Sequence, residues 1–180
     1  MQYAQLIKTQ IMIAPIKTIF DRVPLVSFCP VVNTSIFYTV DNWMRAIYVD
    51  GVSQTLPADP NGWGDTKELK VSIHKGVVII AVMCEDDHVE QAGLIASERN
   101  GYLLSGNSWK CSNVFKETWE QPTFDDSAWP AAYAYGYNSI SLYGLRPQIS
   151  PSAQWIWTSS YLGHRSDSPI YCRGRLFGPV

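Results

Sequence analysis

Short apolar or alternating runs, broken by Gly, Pro, Asn and Asp, recur along the whole chain, while apolar positions at helical spacing are scarce. The pattern predicts strands over residues 25–28, 35–40, 45–49, 68–73, 77–83, 92–96, 101–105, 153–158 and 170–176. Two of these runs illustrate different burial. Leu69, Val71 and Ile73 alternate with Lys70 and Ser72, so one face meets a core and the other meets water. Val77, Val78, Ile79, Ile80, Ala81 and Val82 are apolar on both faces, which places this run at the centre of a sheet covered on both sides. Asp41-Asn42 and Asp50-Gly51 tolerate positive φ and bracket 45–49, suggesting successive antiparallel connections. The expected class is all-β, an antiparallel sandwich.

Two stretches depart from this pattern. Around Trp63, residues Pro57, Asp59, Pro60, Asn61, Gly62 and Gly64 form a loop with one aromatic anchor. Residues 110–151 hold Trp119, Trp129, Pro122, Pro130, Pro147 and several tyrosines but few aliphatic runs. So aromatic an irregular segment is expected to pack onto the sandwich and not to act as a linker. A chain of 180 residues suits one domain, here 25–180, preceded by an N-terminal extension or accessory strand over 1–24.

Composition narrows the function classes. With 46% hydrophobic and 17% charged residues the chain can build a core, and a net charge of -2 without a Lys/Arg run excludes a nucleic-acid surface. The longest apolar run, 76–84, falls far short of the roughly 20 residues of a membrane span. Cys29, Cys84, Cys111 and Cys172 include no Cys-x-x-Cys pair, so zinc and dithiol chemistry are not expected, while disulfides and buried thiols both stay open. An even count favours an oxidising, extracellular setting. The one sequon, Asn33-Thr34-Ser35, sits before a predicted strand, so Asn33 is expected to be glycosylated if a eukaryote secretes the chain. The first 20 residues carry Lys8, Lys17 and only a short apolar stretch, Ile11 to Ala14, which does not read as a signal core.

Candidate chemistry is sparse. His74, His88 and His164 lie in separate segments, giving no metal-ligand spacing, and no Gly-x-Ser-x-Gly is present. Cys84 and Cys111 read as structural residues and not as nucleophiles. Glu85-Asp86-Asp87 offers oxygens to a structural calcium but lacks an Asp-x-Asp-x-Asp-Gly frame, so a solvated turn is the reading adopted and no cofactor is expected. Asp125-Asp126-Ser127 before Trp129 reads as an Asx-type turn, against a catalytic pair. Trp155 and Trp157 share a strand face by period two, as a sugar platform or, preferably, as core. No enzymatic activity is expected. Sugar binding needs an aromatic platform and hydrogen-bonding groups, and two loops supply both: Asp59, Asn61, Trp63 and Asp65, and Tyr161, His164, Arg165 and Asp167. Against these stand the plain readings of Trp63 as a loop anchor and of the second group as a surface hairpin.

The order of landmarks adds a resemblance. Asp41-Asn42, Ile47-Tyr48-Val49-Asp50-Gly51, Trp63, Lys75-Gly76 leading into Val78 to Val82, and Ala92-Gly93-Leu94-Ile95-Ala96 are followed by Ser108-Trp109-Lys110-Cys111, Trp119, Phe124 to Pro130 and Ala153 to Trp157. Over 35–176 this resembles the galactose-binding-domain-like jelly roll of β-galactosidase and α-rhamnosidase accessory domains, carbohydrate-binding modules and lectins. The resemblance implies an antiparallel jelly-roll β-sandwich and an extracellular, non-catalytic carbohydrate-binding or adhesion module. The alternatives are a self-assembling matrix or filament protein and an accessory domain of a glycoside hydrolase. Implied partners are a glycan or an extracellular matrix protein, with a homo-oligomer as a further option. In such jelly rolls the segment after the Ser-Trp motif returns near the terminal strand, which implies a Cys111–Cys172 disulfide. Cys29–Cys84 is then the remaining pair, unless both are buried thiols.

Overall fold

The computed structural model describes residues 31–59, 62–73, 76–86, 92–158 and 169–178. The expected strand at 25–28 and the extension over 1–24 lie outside the described residues. The elements are β1 (Val32–Asp41), β2 (Trp43–Val49), β3 (Val52–Ser53), β4 (Lys67–Ile73), β5 (Val77–Glu85), β6 (Gly93–Glu98), β7 (Lys110–Ser112), β8 (Tyr133–Tyr137), β9 (Gln154–Trp157) and β10 (Ile170–Phe177). They form two five-stranded antiparallel sheets, ordered β4-β1-β6-β9-β8 and β3-β2-β5-β10-β7. The all-β sandwich is therefore observed, and β5, flanked by β2 and β10, takes the central place its two-sided apolar run demands.

Alternation along each strand decides what meets what. Ile36, Tyr38 and Val40 of β1 and Leu69, Val71 and Ile73 of β4 join Ile47, Val78, Ile80 and Val82 in the core between the sheets. The other face of β5, with Ile79 and Ala81, meets Trp119, Trp129 and Tyr171. On the far side of the sandwich, Ile95 meets Tyr143, Ile149, Ala153 and Trp155. The aromatic segment thus wraps both outer faces: its first half covers the β5/β10 sheet, its second half the β6/β9 sheet. Burying one large side chain is worth about 1.5–3 kcal/mol, so this cladding is a substantial part of the fold.

Several expectations change. Residues 110–151 are not wholly irregular, since they contain β7 and β8. Residues 101–105 form a turn with one isolated Ser97–Leu104 bridge and not a strand. The Asp41-Asn42 peptide, which is cis, does not close a hairpin: β1 and β2 belong to different sheets, so it is a crossing corner. Asp50-Gly51 does close one, joining β2 to β3 with φ of 48° and 78°, the two positive values of a type I′ turn. Asn33 lies within β1, opposite Ser72, and not in a turn before it. Trp155 and Trp157 are both core residues but enter different clusters, so they make no shared platform.

Cys111 and Cys172 sit directly opposite each other on β7 and β10 and form a disulfide, with Cα atoms 4.1 Å apart. Cys84 is a free, buried thiol with its Sγ 3.9 Å from Met44 Sδ. The expected Cys29–Cys84 bridge is not formed, because Cys84 is enclosed by the inter-sheet core; Cys29 lies outside the described residues.

Candidate functional site

Three connections meet at the end of the sandwich where β1 crosses to β2: the Asp41-Asn42 corner, the loop carrying Trp63, and the segment leaving β5 at Asp86. The 62–63 stretch is tied to the corner by backbone, since Gly62 N–H donates to Asn42 O (2.8 Å) and Thr39 Oγ1 donates to Gly62 O (2.9 Å). That fixes where Trp63 emerges. Its indole is 41% exposed, with its ring edge-on to Tyr143 (centroids 5.9 Å apart) and the Arg146 guanidinium 5.2 Å from its centroid. Tyr143 in turn stacks on the buried Trp155 at 3.9 Å.

Behind this aromatic stack lies a polar layer. Asp41 and Asp86 are both buried, and both charges face the Tyr143 hydroxyl. Burial raises the Tyr143 pKa first, and the Asp41 and Asp86 charges add to it, so the phenol stays protonated. Tyr135 donates its hydroxyl proton to Ala92 O. The layer closes over Gly93, where an added Cβ would fall 2.3 Å from the Tyr135 hydroxyl oxygen and 2.9 Å from the Trp155 ring. Only a residue without a side chain lets these rings approach the strand.

The sequence-predicted site residues fare unequally. Trp63 is both anchored through its loop and half open to solvent. Asp59 is exposed in the same loop. Asp65 is 88% exposed and lies 4.0 Å from Lys67 Nζ, a loose pair at the start of β4. Asn61, and all of Tyr161, His164, Arg165 and Asp167, lie outside the described residues. Asp86 is not part of a solvated turn as expected: it is buried against the tyrosines, while Glu85 takes the Arg45 guanidinium at 2.5 Å. Asp125 makes the expected Asx-type turn, accepting from Ser127 N–H at 2.9 Å. Asp126, in contrast, is buried and accepts from Arg173 and Arg175, at 2.9 Å each. Tyr143, Arg146 and Asp41 were not foreseen; the Tyr143-to-Arg146 spacing carries no signal until the fold brings it to the β1 corner.

The chain is 28% identical over 159 residues to an alpha-L-rhamnosidase of Streptomyces avermitilis. The match covers 82% of this chain and 15% of that protein, so the chain spans a small part of its relative's length. No protein-family model matches the chain. No solved structure matches it.

Proposed function

We propose that this chain is a non-catalytic accessory β-sandwich of a rhamnosidase-type glycoside hydrolase, of the galactose-binding-like jelly-roll kind, and that it holds carbohydrate near the catalytic body. The observation that carries this reading is the extent of the match: most of this chain corresponds to 15% of an enzyme, and that portion folds here around its own core. Carbohydrate contact is supported by Trp63, a half-open indole flanked by guanidinium and phenol groups, which is the aromatic-plus-polar mix that sugar rings take. The Cys111–Cys172 disulfide supports an extracellular setting. No helix among the described residues is long and apolar enough to cross a membrane.

The test is a glycan array with the purified chain, paired with an assay on p-nitrophenyl α-L-rhamnoside. Binding to one or more glycans that drops by at least about tenfold in Trp63→Ala, the scale of one aromatic–sugar contact, with no turnover, is the expected result. Turnover lost in Asp86→Asn, or retention of no glycan at all, would overturn the proposal.

A further inference from the structure

The wet face of β4, which the sequence reads as a plain solvated surface, is one wall of a groove. Because Leu69, Val71 and Ile73 enter the inter-sheet core, Glu68, Lys70 and Ser72 point outward, beside Asn33 and Ser35 of β1. These side chains, with Arg99 and Asn100 from the turn after β6, line a groove of about 600 Å³. A second hollow of about 330 Å³, with Gln148 and Ser150 in its wall, continues from it, and Arg99 and Asn100 border both. The groove lies over the outer face of the β4/β1 half of the sheet, apart from the Trp63 end.

The groove is ordered by its own hydrogen bonds. Ser35 Oγ donates to Glu68 Oε1 at 2.6 Å, and Ser72 Oγ donates to Asn33 Oδ1 at 2.7 Å. The Arg99–Asn100 turn is held from beneath by Glu98, a buried carboxylate that accepts from Thr34 Oγ1, from Asn100 N–H at 2.7 Å and from Asn100 Nδ2 at 3.0 Å. Arg99 N–H donates to Ser35 O at 3.0 Å. The Arg99 side chain lies over Phe37, 5.2 Å from its centroid, and stays 62% exposed, with one guanidinium nitrogen 3.8 Å from Glu68. A guanidinium held by a ring and a backbone anchor has lost little freedom to its ligand, which is what makes such a group an efficient anion contact.

Resting on the carbohydrate-contact reading above, we propose that this groove binds an acidic oligosaccharide, a chain of sugar rings bearing uronate carboxylates. Lys70 and Arg99 are two cations on the groove surface, where Glu68 is the one carboxylate; Glu98 lies buried beneath with its oxygens taken by Thr34 and Asn100, so the exposed lining favours an anion. Asn33, Ser35, Ser72 and Asn100 supply the amides and hydroxyls that ring hydroxyls need, and Glu68 accepts from them. Glu68 also decides between anions: it suits a ligand rich in hydroxyl donors with an occasional carboxylate and opposes a densely sulfated chain. The two hollows bordered by Arg99 suit consecutive sugar units. A glycan on Asn33 would fill the same space, so the ligand-binding form is the unglycosylated chain.

The experiment is a heteronuclear NMR titration of the bacterially produced chain with trigalacturonic acid, with maltotriose and a sulfated trisaccharide as controls. Expected are amide shifts at Asn33, Lys70, Ser72, Arg99 and Asn100, weakening as salt rises. Arg99→Gln should weaken binding at least about tenfold, the scale of a lost charge-assisted hydrogen bond. Lys70→Gln, an exposed change on an edge strand, should weaken it by a smaller factor, and Trp63→Ala should leave it unchanged. Equal binding of maltotriose, tighter binding of the sulfated sugar, shifts confined to the Trp63 end, or no shifts at all would each overturn the groove assignment. None of these would touch the accessory-domain reading, which the glycan array and Trp63→Ala decide separately.

Discussion

Replacing Arg173 with Met tests how the aromatic segment is held to the sandwich. Arg173 sits on β10 with 1% of its side chain exposed. Its Nε donates to Asp126 Oδ2 at 2.9 Å, and its two terminal nitrogens donate to the Trp119, Gln121 (3.0 Å) and Phe124 (3.4 Å) carbonyls. Met keeps most of the side-chain volume but removes every donor. Asp126, 6% exposed, then keeps only Arg175, which is half open to water. Breaking a buried pair from one side costs about 3–5 kcal/mol, because an uncompensated charge is left behind. The Trp119 and Phe124 carbonyls lose their side-chain donor, at about 1 kcal/mol each where water does not replace it, while Gln121 O still accepts from Phe124 N–H at 3.1 Å. We expect a loss of about 3–5 kcal/mol in urea unfolding followed by tryptophan fluorescence with the disulfide intact, a large part of a typical stability of about 5–15 kcal/mol. Native-state proteolysis should begin within 113–130. Arg173→Met combined with Asp126→Leu should recover part of the loss, since no buried charge is left unpaired and Arg175, 41% exposed, is met by water. A loss under about 1 kcal/mol for Arg173→Met, or a double variant as unstable as the sum of the singles, would refute this reasoning.

Three further outcomes follow from features already described. Removing the Cys111–Cys172 bridge by changing both residues to Ala should cost about 4 kcal/mol in the same unfolding assay, from the chain-entropy model with a separation of 61 residues. Burial pushes the Asp126 pKa upward, but the hydrogen bonds and charges of Arg173 and Arg175 outweigh it and hold the carboxyl below 3.8. Its stabilisation is therefore present above about pH 4 and lost as pH falls through the folded value, so unfolding free energies measured from about pH 6 to about pH 2 should decline less in Asp126→Asn than in the parent chain. Burial also raises the Cys84 thiol well above its ordinary value, so an aromatic disulfide reagent at about pH 8 should leave Cys84 unreacted in the native state and modify it on unfolding.

What the sequence disclosed, and what it withheld, follows from the range of each interaction. The period-two run of Leu69, Val71 and Ile73 and the unbroken Val77-to-Val82 run report burial directly, and both strands formed where expected. β7 and β8 escaped because they are short and mostly half-buried or exposed, so their composition of Lys, Ser, Gly and Tyr carries no alternation. The Asp41-Asn42 corner was misread because the same turn chemistry serves a hairpin and a change of sheet. Arg173 gave no warning: in Cys172-Arg173-Gly174-Arg175 it reads as a solvated position, and only the segment folded over β10 buries it. The groove residues come from three separate stretches of the chain, β1, β4 and the 99–100 turn, and each alone is an ordinary wet-face side chain.

The cladding sets a division of labour between parts of the molecule. Residues 138–153 cover the β6/β9 part of one sheet, and their margin at Pro147 to Pro151 faces Arg99 and Asn100, so the groove's far wall is the edge of that strap and not part of the sandwich. Lengthening the chain at the exposed Pro147-Gln148 step, ahead of the buried Ile149, would move this margin while leaving the inter-sheet core and the disulfide in place. Surface loops accept such changes at small thermodynamic cost. A lineage built on this scaffold could therefore change the length of glycan it holds by editing one strap, with no renegotiation of the fold.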